Sequence, residues 1–303
     1  MNTVISGAYV APNCATKKQV VEKKKVKERG SWRALGASQV AGMASLPVGM
    51  ASVAGMSMVN KKLSSEQMKL ISGAAEKALE NSGLKEKGVS IINITEDTIG
   101  TKLKGWKDTL FSMVNPQYAT AKGKNAFYNP LINSVGVNKD KFATATFHEI
   151  GHAFNANKSK FWGTMQKMRG PAMLVATGLA IFAAFTKKTE AKDGEELTKG
   201  QKAKNFVRNN AGYIAGASML PVVAEEVMAS VRGCKWANAN LPKELAKHVK
   251  ATNVFGAASY IAAAAAVALS AFVATKVKDS IMEKQKAKLE AEQNKNIQTQ
   301  QNN

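Results

Sequence analysis

The sequence predicts a mostly helical α+β fold: a small core with a short sheet and an HExxH helix, with membrane helices attached. Three observations predict it. Two β-rich runs, Val89-Ser90-Ile91-Ile92-Asn93-Ile94 and Leu131 to Val137, supply the sheet. Apolar residues at helical spacing flank them. Uncharged stretches follow, and Asn253 to Thr275 is long enough to cross a bilayer.

The 303 residues suffice for one large domain or two small ones. Net charge is +21 and the pI is near 9.9. Such an excess implies an anionic neighbour. Lysine dominates it and aromatics are few. That suits anionic lipid at a cytoplasmic membrane surface, and no specific nucleic acid is expected. Cys14 and Cys234 lie far apart without metal-ligand spacing. This excludes a disulfide framework and fits a reducing compartment. Met1 to Cys14 has no basic segment ahead of its weakly apolar stretch, so it does not read as a secretory signal.

Residues 1–33 form a basic arm containing Lys17, Lys18, Lys23, Lys24, Lys25, Lys27 and Arg29. It reads as a disordered, solvated arm or as a patch for anionic lipid. Residues 34–60 are uncharged and built of small residues. Membrane insertion and a flexible surface segment both fit that composition. Residues 61–170 carry the motif. Their first helix, within 61–87, has Leu63, Met68, Ile71, Ala75 and Leu79 at helical spacing. Ser64 and Ser65 before Glu66 and Gln67 signal its start, and Asn81-Ser82-Gly83 its end. Residues 98–130 read as irregular, with turn signals at Gly100, Gly105, Asn115-Pro116, Gly123 and Asn129-Pro130.

Within 171–224, Pro171 to Phe185 and Ala211 to Ala224 form an apolar helical hairpin around a charged loop, 187–210. Both arms are short for spanning helices. A helix over 225–250 leads to a transmembrane helix over 251–275. Lys247, Lys250, Lys276 and Lys278 flank that helix, where they can snorkel. Residues 276–303 are a charged and polar tail that ends in a disordered Gln/Asn run.

The chemistry concentrates in Phe147-His148-Glu149-Ile150-Gly151-His152. Residues four apart share a helix face, so His148 and His152 can grip one ion. Glu149 points slightly off that face, where it can take a proton from the attacking water. Asn138 or Asp140 caps this helix, and Ala143, Phe147, Ile150 and Phe154 form its apolar stripe. The pattern predicts zinc-dependent hydrolysis. A catalytic zinc takes three protein ligands. The position six residues after His152 is Lys158, which excludes a third histidine there. His248, the one remaining histidine, has no motif around it. Glu225 and Glu226 close an apolar stretch, where a buried carboxylate needs a positive partner.

H-E-x-G-H, an apolar hairpin and then Glu226-Val227-Met228-Ala229-Ser230 resemble the membrane-embedded gluzincin zinc metallopeptidases. These include the HtpX-like and CaaX prenyl proteases and the YugP-like enzymes. The resemblance covers roughly residues 131–275. It implies a zincin-like core within 61–170, Zn2+ as cofactor, His148, His152 and Glu226 as ligands, and Glu149 as general base. Glu225 is the fallback ligand. Ser230 stands where HtpX-like members have an aspartate that orients a ligand histidine. Asn155 also matches a common HtpX-like position, and Ala229-Ser230-Val231-Arg232 is close to the YugP-like pattern. Arg232, with His248 behind it, is the candidate oxyanion donor. The resemblance further implies that Leu131 to Val137 is an edge strand that pairs with a polypeptide substrate. The expected setting is a bacterial inner membrane, with the site on the cytoplasmic side because the N-terminus does not read as a secretory signal. The competing readings are a catalytically degenerate membrane scaffold and an anionic-lipid-binding protein.

Overall fold

The computed structural model describes residues 30–43, 46–101, 103, 105–191 and 195–301. The basic arm lies outside them up to residue 29. Residues 30–33, read as part of that arm, begin the first helix, α1 (30–43), in which Ser31 and Ala34 are buried. Helix α2 (Leu46–Lys61) follows, so the described part of the uncharged segment is helical. Helix α3 (Ser65–Asn81) starts as expected. The Ser64 side chain accepts from Gln67 N, and the Gln67 side chain accepts in return from Ser64 N.

Strand β1 (Ser90–Asn93) is the first of a three-stranded sheet. The stretch read as irregular holds three short helices: α4 (Glu96–Ile99), α5 (Trp106–Val114) and α6 (Pro116–Ala121). The turn signals there act as helix punctuation. Gly100 ends α4 at φ 65°, and Asn115 caps α6 by accepting from Tyr118 N at 3.0 Å. Helices this short show no periodicity, so turn residues dominate their sequence signal.

Strands β2 (Phe127–Asn129) and β3 (Ser134–Val137) follow, in the order β1-β3-β2. β3 runs parallel to β1, with Ser90 opposite Ser134, and antiparallel to β2, with Phe127 opposite Gly136. β3 is therefore the central strand and not an edge. Its first predicted residues belong to the turn instead: Leu131 is 92% exposed and Asn133 has φ 50°.

The motif helix α7 (Thr146–Lys158) enters through a 3-10 turn, Ala143–Ala145. Asn138 accepts from Asp140 N and Lys141 N at 3.1 and 3.0 Å, so it closes the bend at 138–141, and neither the 3-10 turn nor α7 has a side-chain cap. Helices α8 (Lys160–Lys167), α9 (Arg169–Phe185), α10 (Lys199–Asn209), α11 (Ala211–Ser218), α12 (Leu220–Asn240) and α13 (Lys243–Gln301) complete the chain. Half of the charged loop is helix α10, begun by a Thr198–Gln201 capping box. The Gln/Asn run, expected as disordered, continues α13 as far as Gln301.

Two cores form. The first packs α3, α7, the end of α12 and the start of α13 around Met68, Ile71, Leu79, Phe147, Ile150 and Val249. The second packs α1, α9, α11, the start of α12 and the later α13, and most of what it buries is alanine. Among the described residues, four helical stretches are long and apolar enough to cross a membrane: Gly30–Lys61, Lys160–Phe185, Ala211–Asn240 and Lys243–Gln300. The hairpin arms thus extend well beyond their uncharged cores.

Candidate metal centre

Helices α7 and α12 touch backbone to backbone. A Cβ on Gly151 would lie 2.2 Å from the Ala229 carbonyl oxygen, and one on Gly233 would lie 2.7 Å from that of Phe147. Only glycine permits so close a crossing. The crossing brings Glu226 of α12 against the histidine face of α7.

Three ligand atoms converge there. His148 Nε2 lies 3.0 Å from His152 Nε2 and 3.2 Å from Glu226 Oε2. His152 Nε2 lies 3.4 Å from the same oxygen. Ligands about 2.0–2.1 Å from a tetrahedral ion stand about 3.3–3.4 Å apart, so these separations fit a zinc-sized ion. The set forms a group of potential ligands all within 4.8 Å of one another.

The other ring nitrogens are held from behind. Glu225 Oε1 meets His152 Nδ1 at 2.8 Å, and Ser230 Oγ meets His148 Nδ1 at 3.2 Å. Such contacts fix the tautomer and the ring orientation of a ligand histidine. Glu225, the fallback ligand, thus orients His152 from its far side, where it also accepts from Asn155 Nδ2 at 2.7 Å. Burial alone would lower the His152 pKa. The charge of Glu226, with the hydrogen bond that the imidazole donates to Glu225, outweighs it and holds the imidazole up to about 10. A metal binding at Nε2 displaces that proton.

No protein family, curated protein or solved structure matches this chain.

Glu149 is buried and makes no hydrogen bond or ion pair among the described residues. Its side chain lines a cavity of about 190 Å³ together with His148, Tyr260 and the run Lys124-Asn125-Ala126. Arg232 is elsewhere. It donates to Asn155 Oδ1 and stacks over Phe154 at 4.7 Å, which puts it on the Nδ1 side of His152. His248 contacts the Glu244 carbonyl on the first turns of α13 and does not join the cluster.

Arg169 is the residue that sequence reasoning missed. Its guanidinium donates to Glu226 Oε1 and to Glu225 Oε2, and it lies over the Tyr260 ring at 5.3 Å. Its signal was available: a single arginine stands at the head of an uncharged run. Tyr260 gave no signal, because one tyrosine in an alanine-rich helix is unremarkable.

Proposed function

We propose that this chain is a membrane-embedded zinc metalloendopeptidase of the gluzincin kind, acting on polypeptide. The observation that carries the reading is the convergence of two Nε2 atoms and one carboxylate oxygen at tetrahedral spacing. The donor types fit zinc: two imidazoles and a carboxylate, with room for water in the fourth position. When bound, zinc supplies Lewis-acid polarisation of the peptide carbonyl and makes water acidic near neutral pH.

The chain's own residues do the rest. Glu149 takes a proton from the attacking water and passes it to the leaving amine. Its lack of partners keeps it free for that. Tyr260 borders the same cavity, so its hydroxyl can donate to the developing oxyanion, the role first expected of Arg232. The peptide pairs with β2 instead of β3. β2 has an open side, and the run before it, Lys124-Asn125-Ala126, borders the cavity. The four apolar helices support a membrane setting and a substrate drawn from it.

A second reading rests on Arg169. It pairs with Glu226, so the buried carboxylate is already compensated without any ion. On that reading the cluster is an ion-pair hub in a membrane scaffold. Metal content and casein cleavage by the detergent-purified chain separate the two. The peptidase reading expects bound zinc that Glu226→Ala loses. Glu149→Gln should keep the metal and lose about 10²–10⁴-fold in rate. A wild-type chain that purifies without zinc and cannot be loaded with it returns the cluster to the scaffold.

A further inference from the structure

An open groove of about 530 Å³ runs between α12 and α13 beside the site cavity. Val227, Val231 and Cys234 line it from α12, at spacings that share one helix face, and Val254 and Ala257 line it from α13. The three valines are 40, 56 and 58% exposed, respectively, so the groove is an uncovered apolar trough. Its two ends differ. Lys235 and Lys250 line it at the end nearest the turn that joins the two helices, and the valines continue away from that turn. Both lysines are exposed, and neither forms an ion pair among the described residues. Asn253 forms the wall shared with the site cavity. Its Nδ2 donates to Ser230 O and Cys234 Sγ, both at 3.3 Å, while its buried Oδ1 has no partner.

We propose that this groove is a binding site for one anionic phospholipid. The acyl chain lies against Val227, Val231 and Val254, and the headgroup phosphate meets Lys235 and Lys250. An apolar trough with cations at one end matches an amphiphile with an anionic head. A soluble anion would leave the valines uncovered. A partner helix would need no pair of free cations at one end. Both walls belong to helices long and apolar enough to cross a membrane, which brings lipid within reach. The lipid would lie one side chain behind the metal cluster, because Ser230 lines the groove and contacts His148.

The proposal goes beyond the peptidase reading, and its test needs neither metal nor cleavage. The full chain carrying Cys14→Ser is placed in nanodiscs of phosphatidylcholine or of phosphatidylcholine with phosphatidylglycerol. Cys234 then reports on the groove through its alkylation rate with a small maleimide. The expected result is slower alkylation with phosphatidylglycerol. The double variant Lys235→Gln, Lys250→Gln should lose about 30-fold in the phosphatidylglycerol dependence, from two lysine–headgroup contacts. Val231→Trp, which fills the trough, should abolish the lipid dependence while the chain remains folded by circular dichroism. Equal rates in both lipids overturn the proposal. So does protection by water-soluble glycerol phosphate, which would mean a free-phosphate site. Protection that follows protein concentration and not headgroup would put a second copy in the groove, and also overturns it.

Discussion

The core beneath the sheet buries Phe147, Ile150, Leu79 and Met68, whereas the core between α9, α11 and α13 buries mainly alanine. On α9 the pattern is turned inside out. Ala172, Ala176, Ala180, Ala183 and Ala184 face inward, while Leu174 is 76% exposed and Val175 and Ile181 also face out. In water that outer face would be a large exposed apolar patch. In lipid it costs nothing, and small residues inside let helices approach closely. The first region is organised by contrast with water. The second is organised by fit between backbones. The candidate metal centre lies at their junction, since α12 contributes to both cores.

The largest expected effect tests the first region. Phe147→Ala should cost about 3–5 kcal/mol and lower the thermal midpoint sharply. Leu174→Ala, a truncation on the outer face of the second region, should leave the midpoint in detergent almost unchanged. Equal losses would erase the contrast. Next comes Leu174→Lys. If the outer face meets lipid, membrane insertion should weaken by about 2.5–3.5 kcal/mol, read as the fraction resisting carbonate extraction. Improved solubility without detergent would show that the face meets water. Ala176→Leu should overpack the alanine core by about 1–3 kcal/mol, whereas a core able to yield would tolerate it.

The smallest effect belongs to a polar satellite of the first region. The Asp108 carboxyl is held down to about 2, below its ordinary 3.8, by the hydrogen bonds from Lys124 and then Tyr118, against the opposing effect of burial. A lowered carboxylate pKa contributes stability above its unfolded value and loses it as pH falls through the folded one. Trp106 fluorescence should therefore report loosening between pH about 4 and 2, and Asp108→Asn should flatten that acid slope.

Local features were the legible ones. The His148–His152 spacing, the α3 capping box and the apolar stripe of α7 are each encoded within one helix, where a few neighbours decide the outcome. The pair Glu225–Glu226 was readable because acids at the end of an apolar stretch need a reason, and the preference for Glu226 came from the resemblance. Strand order was not readable. Nothing within Ser134-Val135-Gly136-Val137 says whether it has one neighbour or two, although its complete burial is what a central position requires. The contacts of Arg169 and Tyr260 were hidden for a related reason: they join residues about 60 to 90 positions apart, and no local pattern records such pairings. The Gly151 and Gly233 crossing was visible as glycines but not as a contact.

Helix α13 does not stop where its uncharged stretch ends at Thr275. From Lys276 to Gln301 it continues for roughly 40 Å at about 1.5 Å per residue. The Debye length in physiological salt is about 8 Å, so this extension is about five screening lengths long. Set against a charged bilayer, the helix sorts its own lysines by reach. Lys276 stays within the surface potential and Lys295 stands outside it, whereas Lys278, expected to snorkel, is buried and donates to Ser31 Oγ at 2.7 Å. Charge reversal at the base should then change how the chain responds to surface potential, and the same reversal near the tip should go unnoticed.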